Sequence, residues 1–420
     1  MDAPDPAWIV AQRLASARAL RSACSATHLT RRREGFGWTV RPAAGSVLAS
    51  PRVADWNPEP DYFHHWVRDS AIVLRAVPLA IRADPPARGF WRRFVGDFID
   101  FSLAISDPAR RGPAENPLRA ACRSGLAPFL RPDAELAALA GDAWLQEPRV
   151  APDGTSDLEQ WSRPQDDGPA LRASALMAVL PEVPEAAGTQ AHALIARDIA
   201  HVLRVAGRPC IGPWEEEPPR RTTFTLLAQW DALDRAGHQA AADRLAGLIE
   251  TAADPATGGW RESIEAPEGG LDSATCLAIL YAGRDQGPFA LTATRTRATA
   301  AGLERIFAGL YPINRDRAVP AIGRFAGDVY CGGNPWYPVT LGFAELHYRI
   351  AAQTGERDAF ARAEAWMALI QMVAPDPGPL PEQFDRASGA PASCLDLAWS
   401  AAAFLAAAEA REAAVQAMGR

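Results

Sequence analysis

Apolar residues recur at three- and four-residue spacing through most of the chain, and strand-type alternation is scarce. That restricts the fold to an all-α one. The spacing predicts helices near 6–22, 69–83, 89–105, 134–145, 169–181, 189–206, 223–236, 238–252, 272–283, 292–309, 337–353, 357–373 and 394–417. In 238–252, Ala241, Leu245, Leu248 and Ile249 share a face, while Asp243, Arg244 and Glu250 lie elsewhere. In the alanine-rich 394–417, a stripe of Leu395, Trp399, Ala402 and Leu405 predicts a face buried against other helices.

Six long segments separate these helices: 51–68, 146–168, 208–222, 254–271, 313–336 and 374–393. They are rich in Pro and Gly and carry Trp, Arg and acidic residues. Long connections of this kind in a compact domain are commonly functional. Helices separated in pairs by six such loops predict a helical toroid whose loops converge at one end. No Pro/Ser linker divides the chain, so residues 1–420 read as one domain. The most heavily loaded stretch is Pro213-Trp214-Glu215-Glu216-Glu217, followed by Pro218-Pro219. Proline excludes it from a helix or strand interior. It is a loop with carboxylates beside an indole, either a solvated turn or a place where one carboxyl keeps its proton.

Composition removes several functions. The formal charge is −7, all 43 basic residues are Arg, and no basic cluster exceeds Arg31-Arg32-Arg33, so nucleic acid is excluded as a partner. No stretch reaches the ~20 apolar residues of a membrane span. The N-terminus lacks a basic region followed by a long apolar run, which gives the cytoplasm as the expected location. Cys24, Cys122, Cys210, Cys276, Cys331 and Cys394 have no CxxC spacing and read as reduced core thiols. Phosphate loops, GxGxxG, HExxH and GxSxG motifs are absent. The His64-His65 pair is a weak metal signal, so no cofactor and no metal are expected.

What remains is carboxylates, arginines and tryptophans in loops, the inventory of a carbohydrate site. Indole faces stack on the apolar faces of sugar rings, and charged side chains hold hydroxyls. Glycoside hydrolysis needs two carboxyls, one as acid and one as base or nucleophile. The candidates are Glu215 or Glu216 in one loop and Glu382 in another.

Five segments carry a resemblance. They are Asp61-Tyr62-Phe63-His64-His65-Trp66-Val67-Arg68-Asp69-Ser70, the run from Trp161 through Arg172, Trp214-Glu215-Glu216, the run from Gly323-Arg324-Phe325 to Trp336, and Pro381-Glu382-Gln383-Phe384-Asp385 followed by Leu397-Ala398-Trp399-Ser400. In this order they resemble the signatures of the glucoamylase family, glycoside hydrolase family 15. The resemblance implies an (α/α)6 barrel and an inverting exo-α-glucosidase acting on short α-glucans. It implies Glu215 as general acid and Glu382 as general base. Arg68, Asp69 and Arg324 would hold the terminal sugar of an oligosaccharide partner. Trp66, Trp161, Trp214 and Trp336 would line the pocket, Trp399 would close it from below, and Glu216 would hold a hydroxyl in the next subsite. Asp166 and Asp167 read either as the start of a helix or as sugar contacts.

Two departures stand out. The family commonly has Asp-Leu where Gly212-Pro213 stand, so a carboxylate near the acid is missing, and Glu217 is the expected partial substitute. The chain also begins close to its first helix, which predicts neither an N-terminal β-sandwich nor a starch-binding domain. The rival readings are another linkage, such as trehalose or α-1,6-glucan, a sugar-binding protein on the same scaffold, and a uronic-acid hydrolase or lyase using Arg163 or Arg220 as an extra cation. The oligomeric state is not readable from the sequence.

Overall fold

The computed structural model describes residues 3–52 and 60–419. The 53–59 part of the first long segment lies outside the described residues. Among them run fourteen α-helices: α1 (Pro6–Ala23), α2 (Val67–Arg75), α3 (Val77–Ala83), α4 (Arg88–Ile105), α5 (Asp133–Ala137), α6 (Gly168–Val179), α7 (Thr189–Val205), α8 (Thr223–Arg235), α9 (Gln239–Glu250), α10 (Ser273–Ala282), α11 (Thr294–Leu310), α12 (Tyr337–Thr354), α13 (Arg357–Val373) and α14 (Ala398–Met418).

Six form a closed inner ring. α2 packs on α6, α6 on α8, α8 on α10, α10 on α12, α12 on α14, and α14 returns to α2. The outer helices α1, α4, α7, α9, α11 and α13 pack around it. Apolar patterning decides which helix goes where. α10 is apolar on all sides and buried along almost its whole length, and α6 is buried from Gly168 through Leu176. Such helices have to be enclosed. α9 buries only Ala242, Leu245 and Ile249, a single stripe, and lies outside. This is an (α/α)6 barrel.

Connections differ by direction. Inner-to-outer links are brief, as at 84–87, 236–238 and 355–356. Every one of the six long loaded segments leads instead into an inner helix. The inner helices therefore all start at one end, and the polar loops gather there. Three two-stranded antiparallel sheets brace that end. β1 (Arg31–Arg33) pairs with β2 (Trp38–Val40), β3 (His65–Trp66) with β4 (Arg149–Val150), and β5 (Gln383–Phe384) with β6 (Pro391–Ala392).

Three helical expectations are corrected. The span 69–83 is two helices, because Pro78 lies in the first turn of α3 and has no N–H to continue the ladder. The span 134–145 is helical only in α5, which ends at Ala137; Ala140 is extended and bridges Arg111, and a 3₁₀ segment starts at Gly141. Its apolar residues Leu136, Leu139 and Trp144 enter a small separate core with Phe36, Leu118, Leu130 and Leu158. The last helix starts at Ala398, since Leu397 and Ala398 donate their N–H groups to Leu380 and Ala49 carbonyls instead. All six cysteines are free; four are buried as expected, but Cys331 is exposed and Cys122 half-buried. No helix among the described residues is long and apolar enough to cross a membrane.

At Gly168, the first residue of α6, the chain lies against the start of α2. A Cβ there would lie 2.8 Å from Val67 Cγ1, next to Arg68. Gly168→Ala is expected to cost about 1–3 kcal/mol in urea unfolding. Unaltered stability would contradict this contact.

Candidate active site

One cavity of about 680 Å³ opens at the loop end of the barrel. Trp66, Arg68, Asp69, Trp161, Trp214, Glu215, Glu216, Arg324, Trp336, Glu382 and Trp399 all line it. Each comes from the approach to an inner helix or from that helix's first turn. Trp66 ends β3, and Arg68 and Asp69 open α2. Trp161 precedes α6, the 213–217 loop precedes α8, Arg324 and Trp336 precede α12, and Glu382 and Trp399 bracket the entry to α14.

Glu215 sits at the corner of a tight turn. Its N–H donates to the Gly212 carbonyl at 3.0 Å, and its φ of +64° is left-handed. That region is costly for a residue with a Cβ and tends to persist where function holds it. The turn brings the carboxylate under four donors. Oε1 accepts from Trp66 Nε1 at 2.9 Å, Gln165 Nε2 at 3.0 Å and an Arg68 Nη at 3.2 Å. Oε2 accepts from Trp161 Nε1 alone, at 2.6 Å. Oε1 is saturated, and Oε2 is the oxygen with room for a proton.

Glu382 has a different environment. It is 2% exposed and accepts from the Tyr62 hydroxyl at 3.1 Å and from the Ser393 hydroxyl. Tyr62 and Tyr330 hydroxyls lie 2.7 Å apart. Burial pushes the Glu382 carboxyl up to about 7, against the opposing pull of Ser393 and Tyr62. Ser393 itself has a left-handed φ of +59°.

Around these two, Arg68 is held firmly charged by Asp167, Glu215 and Asp69 against the cost of its burial. Burial raises Asp69 to about 6, although Arg68 pulls it down. Arg324 chelates Asp328 and meets Glu216 at 2.9 Å. Trp214 stacks on Trp399 at 6.1 Å and 18°. Trp399 donates its Nε1 at 2.7 Å to the hydroxyl of Tyr281, which lies at the end of α10 away from the loop that enters it.

Several contributors are not apparent in the sequence. Asp272 is the foremost. Both its oxygens lie 2.9 Å from Trp214 Nε1, and one accepts from Ala274 N–H at 2.6 Å, so it caps α10 and anchors the indole next to Glu215. Burial pushes it up to about 7. Its position before a helical pattern signals a cap, but nothing local signals the distant indole. Glu217 is exposed, so the buried carboxylate near this loop is Asp272 rather than Glu217. A side chain at Gly212 would meet Thr222 Cγ2 at 2.8 Å.

Other candidates lie behind the wall. Asp167 accepts from Arg68, and Asp166 pairs with His201. His65 Nδ1 accepts the Val47 N–H, and burial lowers this ring to about 3, so it stays neutral. Among the described residues no group of three or more His, Cys, Asp or Glu is arranged to hold a metal ion.

A family model described as "Glycosyl hydrolases family 15" matches residues 140–409. Similar proteins include "Glucoamylase P" of Amorphotheca resinae, 28% identical over 86% of this chain and 64% of the relative. "Glucoamylase 1" of Rhizopus oryzae is 25% identical over 89% of this chain and 67% of the relative. The chain thus spans about two thirds of the length of these relatives. Among solved structures, Hormoconis resinae glucoamylase superposes with a TM-score of 0.75 and 25% identity, over 96% of this chain and 73% of that one. The glucoamylase from Saccharomycopsis fibuligera gives a TM-score of 0.73 at 21% identity, over 99% and 98%.

The burial of Glu382 has a measurable sign. Its folded value of about 7 lies above the ordinary ~4.3, so the folded state holds the proton more tightly than the unfolded chain. Stability from this group is intact below about pH 4 and is lost as pH rises through 7. Glu382→Gln cannot ionise and is expected to gain about 3 kcal/mol on the wild type between pH 4 and pH 8. Urea titrations at both pH values check this; a constant difference would refute it.

Proposed function

The chain belongs to glycosyl hydrolases family 15, and we propose that it is an inverting exo-α-glucosidase releasing β-glucose from the non-reducing ends of short α-glucans. The observation that carries this reading is one cavity at the loop end with Glu215 and Glu382 both on its wall and Trp399, tied to Tyr281 of α10, in its lining; we read that indole as the stop at its inner end. A sugar chain enters such a cavity by its end, which favours single-unit removal. The names of the similar glucoamylases support the α-glucan substrate.

In the proposed mechanism, Glu215 gives the proton on Oε2 to the glycosidic oxygen as the bond to the anomeric carbon breaks. Glu382 takes a proton from a water that attacks that carbon on the opposite face. The products are β-glucose and the shortened chain, and inversion asks for roughly 6.5–9.5 Å between the carboxyls to admit the water. Arg68 and Asp69 hold hydroxyls of the terminal sugar, the indoles of Trp66, Trp161, Trp214 and Trp336 offer apolar faces, and Glu216 with Arg324 reaches the next ring. The cations that a uronic acid would need are engaged elsewhere, Arg163 with Glu147 and Asp157 and Arg220 with Glu262. We read the chain as one helical catalytic domain.

Proton NMR of maltotriose, isomaltotriose and trehalose digests is expected to show β-glucose first from an α-linked oligosaccharide. α-Glucose first would overturn the inverting assignment. Glu215→Gln and Glu382→Gln should each lower kcat by about 10²–10⁴-fold. On α-glucosyl fluoride, whose leaving group needs little protonation, Glu215→Gln should recover activity and Glu382→Gln should not. Equal recovery would remove the distinction between acid and base.

A further inference from the structure

We propose that Arg149 is a positioning residue for Glu215: its guanidinium holds the two indoles that present one donor to each oxygen of that carboxylate. This rests on the reading of Glu215 as proton donor given above.

The placement begins in the β3–β4 register, which sets Arg149 directly opposite Trp66. Directly opposed residues share a face of the two-stranded sheet. The guanidinium carbon lies 4.8 Å from the Trp66 ring and 3.7 Å from the Trp161 ring. The two indoles meet edge to face at 5.6 Å and 75°. Trp66 donates to Oε1 of Glu215 and Trp161 to Oε2. One cation therefore touches both donors.

Arg149 is fully buried and anchored from behind. Its Nε donates to Asp157 at 2.9 Å, and its Nη2 meets Asp157 at 3.3 Å and Glu159 at 3.4 Å. Its Nη1 has no hydrogen-bond acceptor among the described residues. A buried donor without an acceptor is unusual; the guanidinium that carries it lies over two indole rings. The anchoring acids do not depend on Arg149 alone. Asp157 also accepts from Arg163, and Glu159 also pairs with Arg33. Removing the Arg149 charge leaves those acids paired and takes the cation from the indoles.

Other charges also act on this region. Arg68 and Asp69 reach Glu215 from α2, Asp167 from the start of α6, and Arg149 from β4. Glu216 follows it on its own loop, and Glu382 lines the same cavity. Behind Arg149 lie Asp61, His64, Arg31 and Arg33.

The test compares wild type, Arg149→Lys and Arg149→Met. The methionine variant keeps an apolar side chain and loses the charge. It is expected to lower kcat about tenfold with little change in KM, because transition-state positioning suffers rather than binding. Loss of a nearby cation should also move the alkaline limb of the kcat–pH profile up by about one unit. Arg149→Lys should restore the limb and most of kcat. The Trp66 and Trp161 indole N–H resonances, followed by NMR against pH without substrate, should titrate together and shift in the same direction in Arg149→Met.

Equal losses in both variants with an unmoved limb, or indole titrations alike in all three proteins, would overturn the proposal. Should Arg149→Met not fold by near-UV circular dichroism, Arg149→Gln takes its place beside Arg149→Lys: a limb and indole titration moved in the glutamine variant and restored in the lysine one support the proposal, and unmoved ones overturn it. If the wild type releases no sugar, the catalytic reading fails, while the indole titrations still test Arg149.

Discussion

Enclosing six helices on every side is the constraint from which the rest of the structure follows. α6 and α10 have buried flanks along nearly their full length, so little of their sides is open to substrate. Reactive groups have to come from the segments that lead into them. The helix starts themselves favour this, since the first N–H groups of a helix lack internal partners and carry partial positive charge. Asp272 answers that need at α10 by accepting from Ala274, and Asp69 lies in the first turn of α2. The same carboxylates then face the cavity or the indoles around it.

Segments of such length need supports of their own. The small core around Leu136 and Trp144 is one. A buried ion network is the other, running from Arg31, Arg33 and Asp61 through Glu159, Arg149 and Asp157 to Arg163, Glu147 and Arg131. Burying such charges costs desolvation that their attraction only partly offsets. Their use here is placement, because they fix the wall of Trp66 and Trp161. The two candidate reacting carboxylates consequently differ in setting. Glu215 lies among four donors, and Glu382 lies in a drier niche with two hydroxyls.

The helices were legible because burial leaves a periodic trace, and the loops because Trp, Arg and acids concentrate where proline and glycine forbid helix. All eleven candidate side chains line one cavity. What was not legible is pairing across long separations. Ser393 lies eleven residues beyond Glu382, and Asp272 lies 58 residues beyond Trp214, with no local pattern linking either pair. Nothing local singles out Arg149 within the 146–168 segment, because only the β3–β4 register sets it against Trp66. The end of α5 was hidden inside a convincing apolar spacing, because the bridge from Ala140 to Arg111 that draws the chain out of the helix leaves no local pattern. The Gly212 departure read as a lost carboxylate, whereas Thr222 occupies the space a side chain would need and a distant aspartate reaches the same loop.

The bond from Trp399 to Tyr281 has a consequence in time as well as in space. A cavity stopped at its inner end has one way in and the same way out. On the proposed reading, the shortened chain sits nearer the mouth than the freed glucose and has to leave first. Each cleavage then ends in complete dissociation, and the enzyme cannot slide along a strand. Long and short chains in a mixture would be trimmed side by side, so the polymer population would shorten evenly rather than vanish one molecule at a time.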